Sequence, residues 1–263
     1  MKYVSDKYAG QKDALIDVPV GARFVDLVAL KSKKDIGEKM NIAIGKLADA
    51  NPQLKGAIDV ADWNDEAKLG KGNEMVTTLS KLVGIFEQLD FSKNRTDGDD
   101  ILGDAYEYLM RHFATESGKS KGQFYTPAEV SRIMAMVIGL GSAKDAKQTI
   151  YDPTCGSGSL LLKAHDEAKA STGKNLAVYG QEKDVATKAL AVMNMILHNC
   201  PTAEIWKDNT ITAPHFKEKD GSLKKFDFVV ANPPFSTKAW SNGIDPTKDE
   251  FKRFEYGMPP PKN

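Results

Sequence analysis

The stretch KFDFVVANPPF, residues 225–235, decides the fold that the sequence predicts. Phe226 to Ala231 predict a buried β-strand, because the run is short, rich in β-branched and aromatic residues, and bounded by turn formers. Two consecutive prolines cannot donate hydrogen bonds to a sheet, so the strand has to end before them. Asn232 is therefore expected at the carboxyl edge of a strand, where open α/β sheets bind ligands.

The tetrapeptide that ends this stretch, Asn232-Pro233-Pro234-Phe235, has a specific chemical use. The nitrogen of a nucleobase amino group is a poor nucleophile, because its lone pair is delocalised into the ring. An amide oxygen and a neighbouring backbone carbonyl can accept its two N–H bonds and favour the geometry in which the lone pair faces an electrophile. Phe235 could then stack on the base. A strand end followed by a stiff loop with a packed phenylalanine explains the tetrapeptide alone equally well.

A glycine-rich turn follows an earlier strand. Thr149 to Tyr151 predict a short strand, which leads directly into DPTCGSGS at residues 152–159 and then into a helix. This pattern lets a ligand approach the backbone closely, and Gly156 and Gly158 are the positions where a missing side chain permits it. The turn lacks the third glycine of a dinucleotide fingerprint and the Gly-Lys-Ser/Thr of a phosphate loop, which argues against both.

Two further predicted strands end beside acidic residues. The strand Leu176 to Gly180 leads into Glu182, which could accept hydrogen bonds from both hydroxyls of a ribose. The strand Ala203 to Trp206 leads into Asp208, which could accept from an adenine amino group. With Asp152 and Asn232, four successive strand ends carry polar side chains, and this recurrence favours one shared ligand site over scattered solvated charges.

A helix with a capping box is predicted after residue 125. Thr126 would be the N-cap, Pro127 the first helical residue and Glu129 the partner of the cap. Phe124 and Tyr125 stand just before the N–H groups of this helix start, which could hold a carboxylate. The apolar residues expected to form its buried face are Val130, Ile133, Met134, Val137 and Ile138.

Composition limits the classes of protein to consider. The 263 residues are 41% hydrophobic and 27% charged, as in ordinary soluble globular proteins. Lys and Arg number 36, as do Asp and Glu, so any affinity for nucleic acid must come from a local patch or a partner. Cys155 and Cys200 are far apart and lack metal-ligand spacing, which indicates a reducing compartment, no disulfide framework and no metal site. Without an apolar membrane span or signal-peptide core, we expect a cytoplasmic protein with no membrane partner.

The chain is predicted to contain two domains. Residues 1–115 are predicted to form an α-helical N-terminal domain, and residues 116–263 an α/β domain. The polar, small and basic segment TESGKSKG, residues 115–122, is typical of a hinge. Two helical core stripes are predicted in the first domain: Met40, Ala43, Ile44 and Leu47, and Val76, Leu79, Leu82, Val83, Phe86 and Leu89.

In this order, the motifs of the chain resemble those of a known enzyme family. They are GQFYTP, DPTCGSGSLL, GQE, KDN and FDFVVANPPF. The resemblance is to the modification subunit of type I restriction-modification enzymes, an N6-adenine DNA methyltransferase, and it covers essentially the whole chain. It implies a Rossmann-like S-adenosylmethionine-dependent methyltransferase sheet preceded by an α-helical domain. Family members have seven strands where four can be counted here, so we expect the methyltransferase domain to be truncated at its C-terminus.

The resemblance also implies roles for individual residues. Glu182 would hold the ribose of S-adenosylmethionine and Asp208 its adenine, while Asn232 and Pro233, followed by Pro234, would orient the target amino group and Phe235 would stack on the flipped base. The methionine part would be held by Gln123, Phe124, Tyr125, Thr126, Pro127, Ala128, Asp152, Thr154, Gly156, Ser157, Gly158 and Ser159. The implied partners are double-stranded DNA with a flipped-out adenine, a specificity subunit, a restriction subunit and a second modification subunit.

Two other functions are compatible with parts of the pattern. A methyltransferase-like assembly module would bind a specificity subunit without turnover. A protein glutamine N5-methyltransferase would use a similar Asn-Pro-Pro-aromatic tetrapeptide, because an amide nitrogen presents the same lone-pair problem. The GQFYTP segment and the helical N-terminal region argue against this second alternative. Transfer of a labelled methyl group to DNA or to protein distinguishes the two enzymes.

Overall fold

A computed structural model describes residues 1–89, 91, 108–109, 112, 126–234 and 240–258. The chain divides into two compact units, one containing Met1–Tyr106 and Val192–Pro201, the other Glu107–Ala191 and Thr202–Asn263. The predicted domain boundary near residue 115 lies outside the described residues, so the division at that point stays a prediction. Within the described part of the chain, no helix is long and apolar enough to cross a bilayer.

The first unit is built from helices whose apolar stripes meet. They are α1 (Lys2–Tyr8), α2 (Phe24–Val28), α3 (Ile36–Ala50), α4 (Glu66–Leu69) and α5 (Asn73–Glu87). The stripe predicted on α3 is confirmed, since all four of its residues are buried. On α5, Leu79 and Val83 are buried, but Phe86 and Leu89 are exposed, so the predicted stripe is wrong at its C-terminal end. Leu89 lies beyond the last residue of the helix, and Met75 extends the buried stripe in the other direction.

The second unit contains a parallel sheet. Its elements are α6 (Ala128–Val137), β1 (Thr149–Asp152), α7 (Ser159–Thr172), β2 (Ala177–Glu182), β3 (Glu204–Lys207) and β4 (Phe228–Val229). Helix α8 (Val185–Leu197) connects β2 to β3, and its residues from Val192 onward belong to the first unit. The strand order is β3-β2-β1-β4, and every pair is parallel. The prediction of an α/β fold is confirmed. Because β1 lies between β2 and β4, the chain reverses its direction across the sheet at β1, where open α/β sheets bind ligands.

The strand predicted for residues 226–231 is shorter and more exposed than expected. Only Phe228–Val229 form β4, and Val229 is 52% exposed. Before the strand, the Asp227 carboxylate accepts hydrogen bonds from the backbone N and the hydroxyl of Thr149 at 2.8 and 2.9 Å. At this position the Asp227 side chain, rather than a backbone carbonyl, accepts the hydrogen bond from the Thr149 N–H. In the described residues β4 pairs with β1 alone, so the prediction of a buried strand is wrong.

The predictions for α6 also need correction. Its N-cap is Pro127 without a side-chain capping bond, and the Ser131 N–H donates to the Pro127 carbonyl at 2.9 Å, so the predicted Thr126 capping box is absent. The face that packs on α7 carries small residues, Ser131 and Ala135, which are fully buried and allow close approach. The predicted buried face is wrong: Val130, Ile133 and Val137 are exposed, and Met134 and Ile138 are half-buried.

Candidate functional site

The carboxyl ends of the parallel strands meet at one edge of the sheet. Asp152 at the end of β1 lies opposite Gly180 of β2, and Glu182 at the end of β2 lies opposite Lys207 of β3. The N–H of Asp208 donates to the Glu182 carbonyl at 3.0 Å, which continues this pairing by one residue. The sheet therefore gathers the acidic residues that follow three separate strands.

The turn after β1 is held by its own hydrogen bonds. The N–H of Thr154 donates to the Asp152 carboxylate at 2.8 Å, and the N–H of Gly158 donates to the Cys155 carbonyl at 2.8 Å. Gly156 and Gly158 have φ of 56° and 79°, in the left-handed region that a glycine adopts without strain. These glycines allow the chain to pass from β1 into α7 in a tight turn.

The two serines of the turn are buried. The hydroxyls of Ser157 and Ser159 lie 3.0 Å apart and hydrogen-bond to each other. This contact stabilises the passage into α7. A direct contact of either serine with a cofactor stays a prediction.

Glu182 connects β2 to the glycine turn. Its Oε2 accepts from the Gly156 N–H at 3.0 Å, and its Oε1 accepts from the Asp184 N–H at 2.9 Å. Both oxygens are thereby fixed in position by backbone donors. An ionised carboxylate has about four acceptor sites, so two backbone bonds leave acceptor capacity for two further donors such as ribose hydroxyls.

Asp152 is a buried acid, with only 2% of its surface exposed. The pKa of Asp152 is raised to about 7, mainly because burial disfavours the charged carboxylate. The hydrogen bonds from Thr154 oppose this increase, and the nearby charge of Glu182 makes a smaller contribution to it. Asp152 is therefore close to half-protonated near neutral pH. A cation placed beside it would favour its charged form.

The loop after β3 carries Asp208 to the same edge. The Asp208 carboxylate accepts from the Asn209 N–H at 2.8 Å. Two residues later, the Thr210 hydroxyl donates to the carbonyl of Pro153 at 2.5 Å. The loop after β3 is therefore joined directly to the turn after β1.

Asn232 also lies beside the sheet edge. The N–H of Val230 donates to the Tyr151 carbonyl at 2.9 Å, which keeps the chain next to β1 beyond the last residue of β4. The Nδ2 of Asn232 then donates to the Thr126 hydroxyl at 3.3 Å. The structure thus brings Asn232 to the start of α6, next to the residue that was predicted to cap that helix.

Several predicted site residues cannot be placed. Gln123, Phe124, Tyr125 and Phe235 lie outside the described residues. Ala128 is the first residue of α6, Pro127 precedes it, and Pro233 and Pro234 are exposed after Asn232. The assigned roles of all these residues stay predictions.

Two hydrogen-bonded groups of this unit were not predicted from the sequence. Gln181 is fully buried: its Nε2 donates to the Ala213 carbonyl at 2.8 Å, and its Oε1 accepts from the His215 N–H at 3.1 Å. The second group is Arg253 and Asp249, whose spacing of four residues is the signal that could have indicated an ion pair.

Comparison with known proteins agrees with this geometry. A family model described as N-6 DNA Methylase matches residues 97–263, which is more than half of the chain. The chain belongs to the N-6 DNA methylase family. The predicted resemblance is confirmed, since its curated relatives are methylase subunits of type I restriction enzymes.

Two of these relatives give the extent of the similarity. The Type I restriction enzyme MjaVIII methylase subunit of Methanocaldococcus jannaschii is 31% identical over 223 residues, covering 82% of this chain and 37% of that protein. The Type I restriction enzyme MpnII methylase subunit of Mycoplasma pneumoniae is 35% identical over 182 residues, covering 66% of this chain and 33% of that protein. The chain spans less than half the length of either relative.

A solved structure supports the fold of this family member. It is the type I restriction-modification system methyltransferase subunit from Streptococcus thermophilus, with a TM-score of 0.72 and 28% identity. The match covers 86% of this chain and 47% of that chain. The expected methyltransferase fold is therefore confirmed.

Proposed function

We propose that this chain transfers a methyl group from S-adenosylmethionine to N6 of an adenine in DNA, as the modification subunit of a type I restriction-modification complex. The observation that carries the proposal is the gathering of the glycine turn, Glu182 and Asp208 at one edge of a parallel sheet, beside the end of β4 that leads to Asn232. The names of the two relatives described above, both methylase subunits of type I restriction enzymes, support the same function.

The hydrogen-bond acceptors at this edge of the sheet suit an adenosine-containing cofactor. When bound, S-adenosylmethionine supplies a methyl group on a positively charged sulfonium, with a neutral thioether as the leaving group. We assign the ribose hydroxyls to Glu182, which retains acceptor capacity, and the adenine amino group to Asp208. Residues 123–128 and 152–159 would hold the methionine part. The acidic side chains near the turn favour a cationic ligand over an anionic one.

Asn232 is the proposed catalytic residue. Its Oδ1 and the Pro233 carbonyl would accept the two N–H bonds of the adenine amino group, so that the nitrogen lone pair faces the methyl carbon. As the new N–C bond forms and the C–S bond breaks, positive charge develops on N6, and a proton is then lost to solvent. Acceptors held beside that nitrogen stabilise the developing charge. Phe235 would stack on the flipped base and offset part of the unpairing cost.

The proposed partners follow from the same assignment. Double-stranded DNA is the substrate, and a separate specificity subunit would read its sequence. The equal numbers of acidic and basic residues fit this division, because autonomous DNA binding depends on clustered cations. A restriction subunit and a second modification subunit would complete the assembly.

The test is single-turnover transfer of a labelled methyl group to unmethylated DNA by the complete protein assembled with its specificity partner. We expect N6-methyladenine as the product. Asn232→Ala should slow the transfer by roughly a hundredfold or more, the loss typical of a transition-state hydrogen-bonding group. Asn232→Asp should retain part of the rate, because a carboxylate still accepts hydrogen bonds.

The matched control is Asn175→Ala, an exposed asparagine just before β2, at the opposite end of the strand from Glu182. It should methylate at the wild-type rate. Label on protein glutamine, or partner binding with no methylated DNA, would contradict the proposal. A wild-type rate for Asn232→Ala would remove Asn232 from the chemistry.

A further inference from the structure

The segment Trp240 to Met258, downstream of Asn232, is organised around one arginine. The backbone N of Arg253 donates to Asp249 Oδ2 at 2.7 Å, its Nη2 donates to Oδ1 at 2.7 Å, and its Nε lies 3.1 to 3.2 Å from both oxygens. The Asp249 side chain is 5% exposed and that of Arg253 is 23% exposed. A forked, largely buried pair of this kind holds a guanidinium in one orientation far better than an exposed lysine pair would.

The same guanidinium lies over two aromatic rings. The guanidinium carbon lies 5.3 Å from the ring centre of Phe251 and 5.7 Å from that of Phe254. The ring of Phe254 in turn contacts Trp240 at 5.5 Å between centroids. These contacts link the two ends of the segment, and Arg253 takes part in most of them.

The Nη1 group of Arg253 contacts the loop after β3. It donates to the carbonyl of Thr210 at 3.3 Å, and the hydroxyl of Thr210 donates to the carbonyl of Pro153. Thr210 lies two residues after Asp208, and Pro153 directly follows Asp152. Two hydrogen bonds in series therefore connect Arg253 to both loops in which cofactor-binding residues are proposed.

We propose that Arg253 is a positioning residue for the cofactor site, acting through Thr210 on the loops of Asp208 and Asp152. This inference rests on the proposed function. The segment that carries Arg253 also follows the Asn232 tetrapeptide in the chain. The hydrogen bonds from Arg253 to Thr210 and from Thr210 to Pro153, here called the tether, therefore join the cofactor side of the site to the side assigned to the target base. Because coupling between two sites is reciprocal, occupancy of the cofactor site should tighten the segment, and loss of the tether should weaken cofactor binding.

The first experiment measures the affinity of the purified protein for S-adenosylmethionine by calorimetry. Arg253→Met should weaken it by roughly tenfold, within the usual range of coupling between sites. Arg253→Lys should weaken it by a smaller factor, because an ammonium cannot hold Asp249 and reach the Thr210 carbonyl together. The matched control is Lys248→Met, an exposed cation of the same segment that pairs with Asp245 at 3.7 Å, and its affinity should be that of the wild type.

A second pair of variants tests the path through Thr210. Thr210→Val removes the hydroxyl bond to Pro153 and should weaken binding, whereas Thr210→Ser should restore it. The double variant Arg253→Met/Thr210→Val should lose less affinity for S-adenosylmethionine than the product of the two single fold-losses, because both changes break one series of contacts. If Arg253→Met fails to fold, Arg253→Lys and the Thr210 pair decide the question.

Hydrogen exchange gives a readout that a purely structural role would not change. In the wild type, S-adenosylmethionine should slow amide exchange in residues 240–258, and in Arg253→Met this protection should be lost. Wild-type affinity in both Arg253→Met and Thr210→Val would overturn the inference, while weakened binding in Glu182→Ala would leave the proposed function standing. A wild-type protein that binds no S-adenosylmethionine would overturn both.

Discussion

The side-chain amide of Asn232 donates from Nδ2 to the hydroxyl oxygen of Thr126 across 3.3 Å, and this bond joins the end of β4 to the start of α6. Thr126 is buried, so water competes little for the contact. An amide has donors at one end and an acceptor at the other. Holding the Nδ2 end at Thr126 turns the Oδ1 end away from it, as an acceptor for a substrate amino group requires.

Thr126→Val should therefore slow methyl transfer. Valine matches the shape of threonine but cannot accept the hydrogen bond, whose net contribution of about 0.5 to 1.5 kcal/mol corresponds to a several-fold change in rate. Thr126→Ser should stay near the wild-type rate. The measurement is the single-turnover rate together with calorimetric affinity for S-adenosylmethionine. Weakened affinity with an unchanged rate would instead assign Thr126 to the cofactor.

Glu182→Ala should weaken the binding of S-adenosylmethionine by about 1.5 to 3 kcal/mol, the usual range for a hydrogen bond to a charged group. Circular dichroism has to show that the variant is folded, because the carboxylate also accepts from the Gly156 and Asp184 N–H groups. The control is Glu204→Ala, which removes an exposed carboxylate at the amino end of β3. Equal calorimetric affinity in the wild type and Glu182→Ala would remove Glu182 from the cofactor site.

Asp152 should make the free protein less stable as the pH rises. Burial raises the pKa of this carboxyl to about 7 from its ordinary value of 3.8, so its contribution to stability is fully present below about pH 4 and is lost as the pH rises through 7. The slope approaches about 1.4 kcal/mol per pH unit between these values. Asp152→Asn removes the titration, so its free energy of unfolding in urea should change less between pH 5 and pH 8. Parallel curves for the two proteins would show that Asp152 does not titrate in this range.

Gly180→Ala should destabilise the second unit. A Cβ at this position of β2 would lie 2.8 Å from Ile205 Cδ1, 3.0 Å from Cys155 Sγ and 3.1 Å from Leu161 Cδ1, all of them buried. Overpacking of this kind costs about 1 to 3 kcal/mol. Gly84→Ala is the contrasting variant, because a Cβ there meets nothing within 4 Å and lies in helix α5, where alanine is favoured by up to about 1 kcal/mol. Urea unfolding of both variants measures the difference, and equal stability of Gly180→Ala and the wild type would contradict this packing.

The parts of the fold with strong local signals could be predicted from the sequence. The strands before Asp152, Glu182 and Asp208 lie within a residue or two of their predicted positions, because short β-branched runs bounded by turn residues have few alternatives. Their parallel alignment then brings the polar residues after them to one edge, as the recurrence of acids had indicated.

Features that depend on distant partners could not be predicted. The Thr126 hydroxyl accepts a hydrogen bond from Asn232, which is 106 residues away in the sequence, instead of capping α6. The local sequence contains no sign of this distant partner. Likewise, the periodicity of α6 predicted the wrong buried face, because the small residues Ser131 and Ala135 determine which side meets α7. The reach of Arg253 to Thr210 depends on the path of a loop, which carries no periodic signal.

The open side of β4 has a practical consequence for the isolated polypeptide. Among the described residues β4 pairs only with β1, so the backbone N–H and C=O groups on its other side, beside the half-exposed Val229, are a template onto which a strand of another molecule can add. Preparations of these 263 residues are therefore expected to self-associate as their concentration rises. Any strand that covers this side of β4, from whatever source, would also fix the backbone that leads into Asn232 three residues later, so that solubility and the alignment of the proposed catalytic amide improve together.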